Sequence, residues 1–137
     1  MIEKTLAIIK PDAMAKKYAG KIIDRIEHEG FDILAIKKVK LTKEEAENFY
    51  AIHKGKPFFN ELVEMMSSGP IMVMVLEKDN AISSWRNLMG PTDPAEATDH
   101  NCLRKLYGTD KGKNGLHGSD SPETAKTEIH FFFPELS

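Results

Sequence analysis

Short apolar runs alternate with segments of helical periodicity along this chain of 137 residues, and this alternation constrains its fold more than any other feature. The clearest run extends from Ile71 to Leu76, directly after Ser68-Gly69-Pro70, and is short enough for a buried strand. A second run from Thr5 to Ile9 stops at Lys10-Pro11-Asp12, because proline cannot continue a strand ladder. Both runs predict strands, and the second is expected to end in a polar turn.

Two further runs complete the set of predicted strands. In the segment from Phe31 to Leu41, alternate residues from Ile33 to Val39 fall on one face, which is an imperfect strand pattern. The apolar run from Ile129 to Phe133 predicts the last strand of the chain.

Residues that start and end helices bound the segments of helical periodicity. Gly30 is placed to take the left-handed conformation that ends the first amphipathic helix. Thr42 and Glu45 have the spacing of a capping box, which starts the next helix. Asn80 is expected to cap a third helix, which Gly90-Pro91 ends. The apolar positions of the three helices are, in order, Ile22, Ile23 and Ile26; Ala46, Phe49 and Tyr50; and Ile82, Trp85 and Met89.

Two more helices are predicted, one before the strand at Ile71 and one after a long loop. Apolar residues from Phe59 to Met66 form a helical pattern, and Ser121-Pro122-Glu123 combines a cap, a first-turn proline and a first-turn acid. Little periodicity is visible between Gly90 and His117. A connection of that length is uncommon in a compact domain unless it is functional or disordered, and its contents favour a function.

The resulting order is strand, helix, strand, paired helices, strand, helix, long loop, short helix, strand. This order predicts a ferredoxin-like βαββαβ sandwich, an α/β (α+β) fold with helices packed on a four-stranded antiparallel sheet. The length suits one hydrophobic core, so residues 1–137 are expected to form a single domain.

Charge and hydropathy exclude two broad classes of protein. The 19 Lys plus Arg and 21 Asp plus Glu residues give a formal net charge of -2, without the basic excess of a nucleic-acid binder. No apolar run approaches the roughly 20 residues of a membrane span, and the N-terminus lacks the pattern of a signal peptide. We therefore expect no nucleic-acid partner, no membrane association and a cytoplasmic location.

Cysteine and histidine spacing predicts no structural metal site. Cys102 is the single cysteine, so it has no partner for an internal disulfide or a metal-ligand pair. His28, His53, His100 and His130 show no ligand spacing either, and packing or surface positions suffice for them.

The fifth histidine, His117, stands among small and polar residues in the sequence Asn114-Gly115-Leu116-His117-Gly118-Ser119-Asp120-Ser121. An imidazole has an ordinary pKa of about 6.5, so near neutral pH much of it is uncharged and nucleophilic. Small neighbours let a bulky, charged substrate approach the ring. From this stretch alone, either a solvated loop histidine or a displayed nucleophile is possible.

Cationic and aromatic residues elsewhere favour the nucleophile. Lys10, Arg86 and Arg104 fall at element ends or in the long loop, where they are either solvated charges or a cluster that holds a polyphosphate. Phe58 and Phe59 either both belong to the core, or one ring packs in the core while the other is free to stack on a base. Tyr50 is ambiguous in the same way, because its ring can fill core space while its hydroxyl is expected to seek a polar partner. The absence of a Gly-x-x-x-x-Gly-Lys-Ser/Thr motif excludes an ordinary P-loop enzyme.

Four motifs, taken together, resemble those of nucleoside diphosphate kinases. They occur in family order over almost the whole chain: Lys10-Pro11-Asp12, Pro57-Phe58-Phe59, Ser68-Gly69-Pro70 and Asn114 to Ser121. The last motif, an Asn three residues before a His that Gly-Ser-Asp-Ser follows, is highly specific. The resemblance implies transfer of the γ-phosphate of a nucleoside triphosphate, mainly ATP, to nucleoside or deoxynucleoside diphosphates by a ping-pong mechanism.

The resemblance also implies a role for each matching residue. His117 would accept the phosphoryl group as phosphohistidine, and Phe58 would stack on the base. Contacts to ribose and phosphates would come from Lys10 and Asn114, and further phosphate contacts from Arg86, Thr92 and Arg104. The residues that would support His117 or the surroundings of Lys10 are Tyr50, Ser119 and Glu128.

Magnesium and self-association follow from the same resemblance. Mg²⁺ would arrive on the nucleotide phosphates without direct protein ligands, with Asp120 as the candidate for a water-bridged contact. Family members assemble as homo-oligomers, so a tetramer or hexamer is expected. A base held by stacking predicts broad nucleotide specificity.

The alternative function is a non-catalytic nucleotide-binding or RNA-binding ferredoxin-like module. An RNA-binding module of this fold would carry an aromatic-rich signature strand, which is absent from this sequence. A non-catalytic module would have lost His117 or Lys10, and both are present.

Overall fold

The computed structural model describes residues 1–136, and it contains one antiparallel sheet with helices on both faces. The strands are β1 (Ile2–Ile9), β2 (Asp32–Val39), β3 (Ile71–Asp79) and β4 (Leu116–Gly118). The helices are α1 (Pro11–Ala15), α2 (Ala19–His28), α3 (Lys43–Phe49), α4 (Phe59–Met66), α5 (Ala81–Met89), α6 (Leu103–Tyr107) and α7 (Pro122–Phe132). Short 3₁₀ turns occur at Ala51–His53, Pro94–Glu96 and Pro134–Leu136. None of the helices in residues 1–136 has the length and apolar character needed to cross a bilayer.

The sheet has the order β2-β3-β1-β4, and each neighbouring pair is antiparallel. β1 pairs with β3 from Ile2 opposite Asp79 to Ile9 opposite Met72. Its other edge pairs with β4, where Ile8 lies opposite His117. The predicted ferredoxin-like sandwich is therefore confirmed, and it places His117 on an edge strand next to the centre of the sheet.

Two hydrophobic clusters cover the two faces of the sheet. Successive strand side chains point to opposite faces, so Leu6 and Ile8 enter one cluster while Ala7 and Ile9 enter the other. The first cluster contains residues of α3, α4 and α7, and the second contains residues of α2 and α5. Burial on both faces explains why β1 and β3 read as nearly continuous apolar runs.

The prediction of a strand from Ile129 to Phe133 is wrong, because α7 continues to Phe132. The Ser121 hydroxyl caps this helix by accepting a hydrogen bond from the Thr124 N–H at 3.2 Å. Residues at helical spacing are then buried: Ala125, Ile129 and Phe132. This packing overrides the strand propensity of the aromatic run, and His130 accordingly lies in a helix.

The fourth strand lies instead at the end of the stretch from Gly90 to His117, for which the sequence predicts little regular structure, and it extends to Gly118. β4 has three residues, which is too short for a periodic signal, and it is a strand only through its pairing with β1. The same stretch contains α6. The predicted fold class is right although the predicted fourth strand is not.

Two local predictions also need correction. The expected polar turn at Lys10-Pro11-Asp12 is the start of α1, with Lys10 as N-cap and Pro11 at the first position. Asn80 precedes α5 as predicted, but its side chain makes no capping hydrogen bond. Glu3 of β1 caps the helix instead, with its Oε1 accepting from the Ile82 N–H at 2.9 Å.

Candidate active site

His117 is held against an aromatic wall on one face of the sheet. The rings of Phe49 and Tyr50, from the end of α3, stand edge-on to the imidazole at centroid distances of 5.7 and 6.3 Å. The His117 side chain is 18% exposed. It is thus a positioned and partly accessible group, and the interpretation as a solvated loop histidine is wrong.

The second side of the imidazole faces a carboxylate of α7. His117 Nε2 lies 3.0 Å from Glu128 Oε1, and the Ser119 hydroxyl donates to the same oxygen at 2.8 Å. Ser119 is fully buried, and its Oγ also accepts from the Leu6 N–H at 3.2 Å. A carboxylate accepts hydrogen bonds only, so Nε2 of the neutral ring carries the proton. The lone pair is therefore on Nδ1, which is the ring atom able to act as a nucleophile.

Tyr50 contributes its ring to the site but not the expected polar contact. Its hydroxyl is buried and has no hydrogen-bond partner within residues 1–136. Burial, together with the negative charge of Glu128, raises the pKa of the Tyr50 hydroxyl. The phenol therefore stays protonated, and the expectation that its hydroxyl finds a polar partner is not met.

Lys10 and Asn114 form a buried polar pair at the end of β1. The Lys10 Nζ donates to Asn114 Oδ1 at 2.8 Å, and the two residues are 7% and 2% exposed. The Asn114 amide in turn donates to the main-chain oxygens of Thr92, at 3.0 Å, and Lys111, at 3.2 Å. Three residues of the predicted nucleotide-binding set, Lys10, Thr92 and Asn114, are thus joined in one network.

Arg104 is buried beside β4, where its guanidinium is tied to the main chain. Its two terminal nitrogens donate to the carbonyls of Gly90, at 3.0 Å, and Leu116, at 2.9 Å. The remaining Nε has no partner within residues 1–136. Burial, and then the positive charge of Arg86, lowers the pKa of Arg104 to about 10. Arg104 stays cationic at neutral pH, with one buried donor left over for a ligand.

Arg86 is the exposed member of this cationic cluster. It projects from α5, and its Nη1 donates to Asp120 Oδ1 at 2.7 Å. Its charge, together with those of Lys10 and Arg104, gives a local positive region in a chain whose formal net charge is -2. Such a region stabilises several phosphate charges at once.

A cavity of about 940 Å³ adjoins this region. Four predicted nucleotide-binding residues line it, namely Lys10, Phe58, Thr92 and Asn114. Phe58 is 46% exposed while its neighbour Phe59 is 7% exposed, so one ring packs in the core and the other is free to stack. His117, Arg86 and Arg104 lie outside the cavity lining.

Two contacts of His117 were missed by sequence reasoning. The sequence pattern places Phe49 and Trp85 only at apolar positions of their helices. The Trp85 indole N–H donates to the His117 main-chain carbonyl at 3.2 Å, across 32 residues of sequence. In the sequence, the one hint of this hydrogen bond is that Trp85 directly precedes Arg86, a predicted phosphate-binding residue.

A family model described as nucleoside diphosphate kinase matches residues 3–137 of the chain. A nucleoside diphosphate kinase of Persephonella marina is 56% identical over 135 residues, which cover 98% of this chain and 96% of the relative. One from Geotalea daltonii is 54% identical over 135 residues, covering 98% of both chains.

Solved structures agree with this similarity. A crystal structure of the Aquifex aeolicus nucleoside diphosphate kinase has a TM-score of 0.97 at 52% identity, covering 99% of this chain and 98% of that one. The apo enzyme from Encephalitozoon cuniculi has a TM-score of 0.90 at 39% identity, covering 96% of this chain and 88% of that one.

Proposed function

The chain belongs to the nucleoside diphosphate kinase family, and we propose that His117 carries the phosphoryl group between the two nucleotides. The family activity is transfer of the terminal phosphate of a nucleoside triphosphate to a nucleoside diphosphate, which makes the chain a phosphotransferase. The observation that carries the proposal is the Nε2 contact of His117 with Glu128 at 3.0 Å, because it leaves Nδ1 unprotonated. A non-catalytic or RNA-binding module is not favoured.

The transfer proceeds in two half-reactions through one covalent intermediate. Nδ1 of His117 attacks the γ-phosphorus, the bond from that phosphorus to the bridging oxygen breaks, and the nucleoside diphosphate leaves with the bond's electron pair. A second nucleoside diphosphate then attacks the phosphohistidine and regenerates free His117, so ping-pong kinetics follow. Bonding to phosphorus makes the imidazole positive, and the Glu128 carboxylate on Nε2 stabilises that charge.

The cationic and polar residues around β4 are proposed to bind and align the nucleotide. Phosphoryl transfer needs alignment and charge stabilisation more than a strong nucleophile. Lys10 and Asn114 would contact ribose and phosphates. The Nε–H of Arg104, which has no partner in residues 1–136, would donate to a phosphate oxygen. Further phosphate contacts would come from Arg86 and Thr92. The exposed ring of Phe58 would stack on the base, which favours no particular base.

Magnesium is proposed to arrive with the nucleotide. Within residues 1–136, no group of three His, Cys, Asp or Glu side chains could hold a metal ion. The Asp120 carboxylate, which pairs with Arg86, is the candidate for a water-bridged contact with that ion. When bound, Mg²⁺ neutralises charge on the phosphates.

The experiment that tests this function has two steps: phosphorylation of His117 by ATP, and transfer of that phosphate to GDP. The purified protein is mixed with Mg²⁺ and ATP labelled at the γ-phosphate, and the protein is assayed for acid-labile, base-stable phosphate on His117. We expect label on His117 that is discharged to GTP when GDP is added. Folded protein that binds nucleotide but takes up no label would overturn the role of His117.

The pH dependence of nucleotide binding is predicted to report on Lys10. Burial, and then the positive charge of Arg104, lowers the pKa of Lys10 to about 8, against a smaller opposite effect of Asp12. Lys10 of the unliganded protein therefore loses its positive charge as the pH rises through about 8. We expect the Kd of ADP, measured by calorimetry, to increase above that pH.

The same titration of Lys10 should stabilise the unliganded protein as the pH rises, although it weakens nucleotide binding. The unfolded chain binds more protons between pH about 8 and 10.5, so the Lys10 contribution to the free energy of unfolding rises with pH there. Lys10→Met is the control for both measurements, since it removes the titrating group. The same pH step in the Kd of this variant would assign the step to another residue.

We also propose that the chain forms a homo-oligomer, with β2 at the contact. β2 is an edge strand of the sheet, and its Leu34 and Ile36 side chains are 43% and 44% exposed. An exposed apolar edge strand favours pairing with another chain. The stoichiometry, tetramer or hexamer, is to be measured by light scattering.

Ile36→Lys is predicted to dissociate the oligomer at β2. A charge on the exposed face of an edge strand opposes strand pairing, so the mass from light scattering should fall. Ile52→Lys is the matched control, because Ile52 is 78% exposed but lies in a 3₁₀ turn outside the sheet. An unchanged mass for Ile36→Lys would place the contact elsewhere.

Two further expectations stay predictions: the cytoplasmic location and the single domain over residues 1–137. The second is supported by the single sheet, which takes strands from Ile2 to Gly118.

A further inference from the structure

We infer that Trp85 is a positioning residue for His117, with its indole N–H holding the main chain of the nucleophile. The hydrogen bond from Trp85 Nε1 to the His117 carbonyl is 3.2 Å long. This inference rests on the proposed role of His117 as phosphate carrier. Trp85 itself is not among the residues that line the cavity.

Trp85 acts from the face of the sheet opposite the imidazole. The indole is fully buried in the cluster formed with α2, and its ring packs edge-on against Phe31 at a centroid distance of 6.0 Å. The His117 imidazole lies on the other face, against Phe49 and Glu128. The nucleophile is therefore held from both sides of the sheet, by its side chain and by its carbonyl.

Gly118 makes this contact possible. A Cβ atom at Gly118 would lie 2.5 Å from Trp85 Cδ1, 2.7 Å from Trp85 Nε1 and 2.7 Å from the Met89 methyl. No side chain at this position fits without displacing the indole. The glycine that follows His117 thus lets Trp85 reach the main chain of β4.

β4 needs such support because it has few bonds of its own. It is a three-residue edge strand, and among the strands of residues 1–136 it pairs with β1 alone. Arg104 holds the carbonyl of Leu116 at 2.9 Å, and Trp85 holds the next carbonyl. A misplacement of about 1 Å in a reacting group costs up to about 10²-fold in rate.

Trp85 also links the nucleophile to a phosphate contact. It directly precedes Arg86 on α5, so one turn of one helix holds the His117 carbonyl and presents the exposed guanidinium. Loss of the hydrogen bond from Trp85 Nε1 would change the distance between the imidazole and the bound phosphates. The expected consequence is a slower transfer step, with nucleotide affinity little changed.

The test replaces Trp85 by 3-benzothienylalanine, which keeps the shape of the indole and replaces its N–H by sulfur. We expect the rate of His117 phosphorylation at saturating Mg²⁺ and ATP to fall about ten-fold. The KM for ATP and the melting temperature should change little, since packing and the phosphate contacts remain.

Phe31→Leu is the matched control, because it loosens the packing of Trp85 but leaves the indole N–H in place. Its melting temperature should fall while its phosphorylation rate at a temperature where it is folded stays normal. An unchanged rate in the benzothienyl protein would overturn the inference. A loss in Phe31→Leu as large as that in the benzothienyl protein would also overturn it, by showing that packing alone acts.

Phosphorylation of the unaltered protein distinguishes failure of this inference from failure of the proposed function. If the unaltered protein forms acid-labile phosphate on His117 and the benzothienyl protein charges equally fast, the positioning role of Trp85 alone is wrong. If the unaltered protein forms no such phosphate while remaining folded, the proposed role of His117 fails and the inference fails with it.

Discussion

Replacing His117 by alanine is expected to lower phosphotransfer by roughly 10⁴-fold or more, because the nucleophile of a covalent mechanism is removed. Nucleotide binding should be nearly unchanged, since Phe58, Lys10 and the two arginines remain in place. Transfer from ATP to GDP is measured in an end-point assay, and the Kd of ADP by calorimetry. A large loss of transfer with an unchanged Kd identifies a residue that carries the phosphate, whereas an increased Kd identifies a residue that binds the nucleotide.

His28→Ala is the control for this substitution. His28 is an exposed histidine near the end of α2, and no proposed step uses it. Its variant should transfer phosphate at the normal rate. Retained transfer in the His117 variant would contradict the proposed intermediate, and lost binding in a folded His117 variant would contradict the assignment of the binding residues.

Glu128→Ala is expected to have the second largest effect, a loss of roughly 10²-fold in the rate of His117 phosphorylation. The variant removes the acceptor 3.0 Å from Nε2, so neither the tautomer nor the orientation of the ring is maintained. It also leaves the buried Ser119 hydroxyl without its acceptor. The KM for ATP should change little, because Glu128 contacts no proposed phosphate ligand.

Glu128→Gln separates orientation from charge. The amide oxygen still accepts hydrogen bonds from Nε2 and Ser119 but carries no negative charge, so this variant should be intermediate in rate. Glu123→Ala, at an exposed position in the first turn of the same helix, should be normal. Equal rates for Glu128→Ala and the unaltered protein would show that His117 does not depend on this carboxylate.

Local signals predicted those parts of the fold that depend on neighbours in sequence. The Thr42 capping box is present: the Glu45 N–H donates to Thr42 Oγ1 at 3.1 Å, and the Thr42 N–H donates to Glu45 Oε1 at 2.9 Å. Gly30 ends α2 with a φ of 91°, as its position predicts. The strands β1 and β3 were recognised because both are long and apolar. Each of these features arises from residues a few positions apart, which a sequence pattern records directly.

Sequence motifs predicted only part of the candidate site. The Asn114 to Ser121 motif pointed to His117, and the other motifs pointed to the candidate nucleotide-binding residues. The motif does not reveal that Phe49 lies against the imidazole, that Asp120 pairs with Arg86, or that the Tyr50 hydroxyl lacks a partner among the described residues. These facts depend on how α3, α5 and α7 pack against the sheet.

The sequence by itself determined the ferredoxin-like class, three of the four strands and the candidate for the reactive histidine, because periodicity, capping and a specific motif are local. Only the tertiary structure decided that Leu116–Gly118 is the fourth strand, that Glu3 caps α5 and that Trp85 holds the His117 carbonyl. In each case the partner lies far away in sequence. A short strand or a single hydrogen bond has no periodicity of its own, so it forms only where the packed elements bring the two groups together.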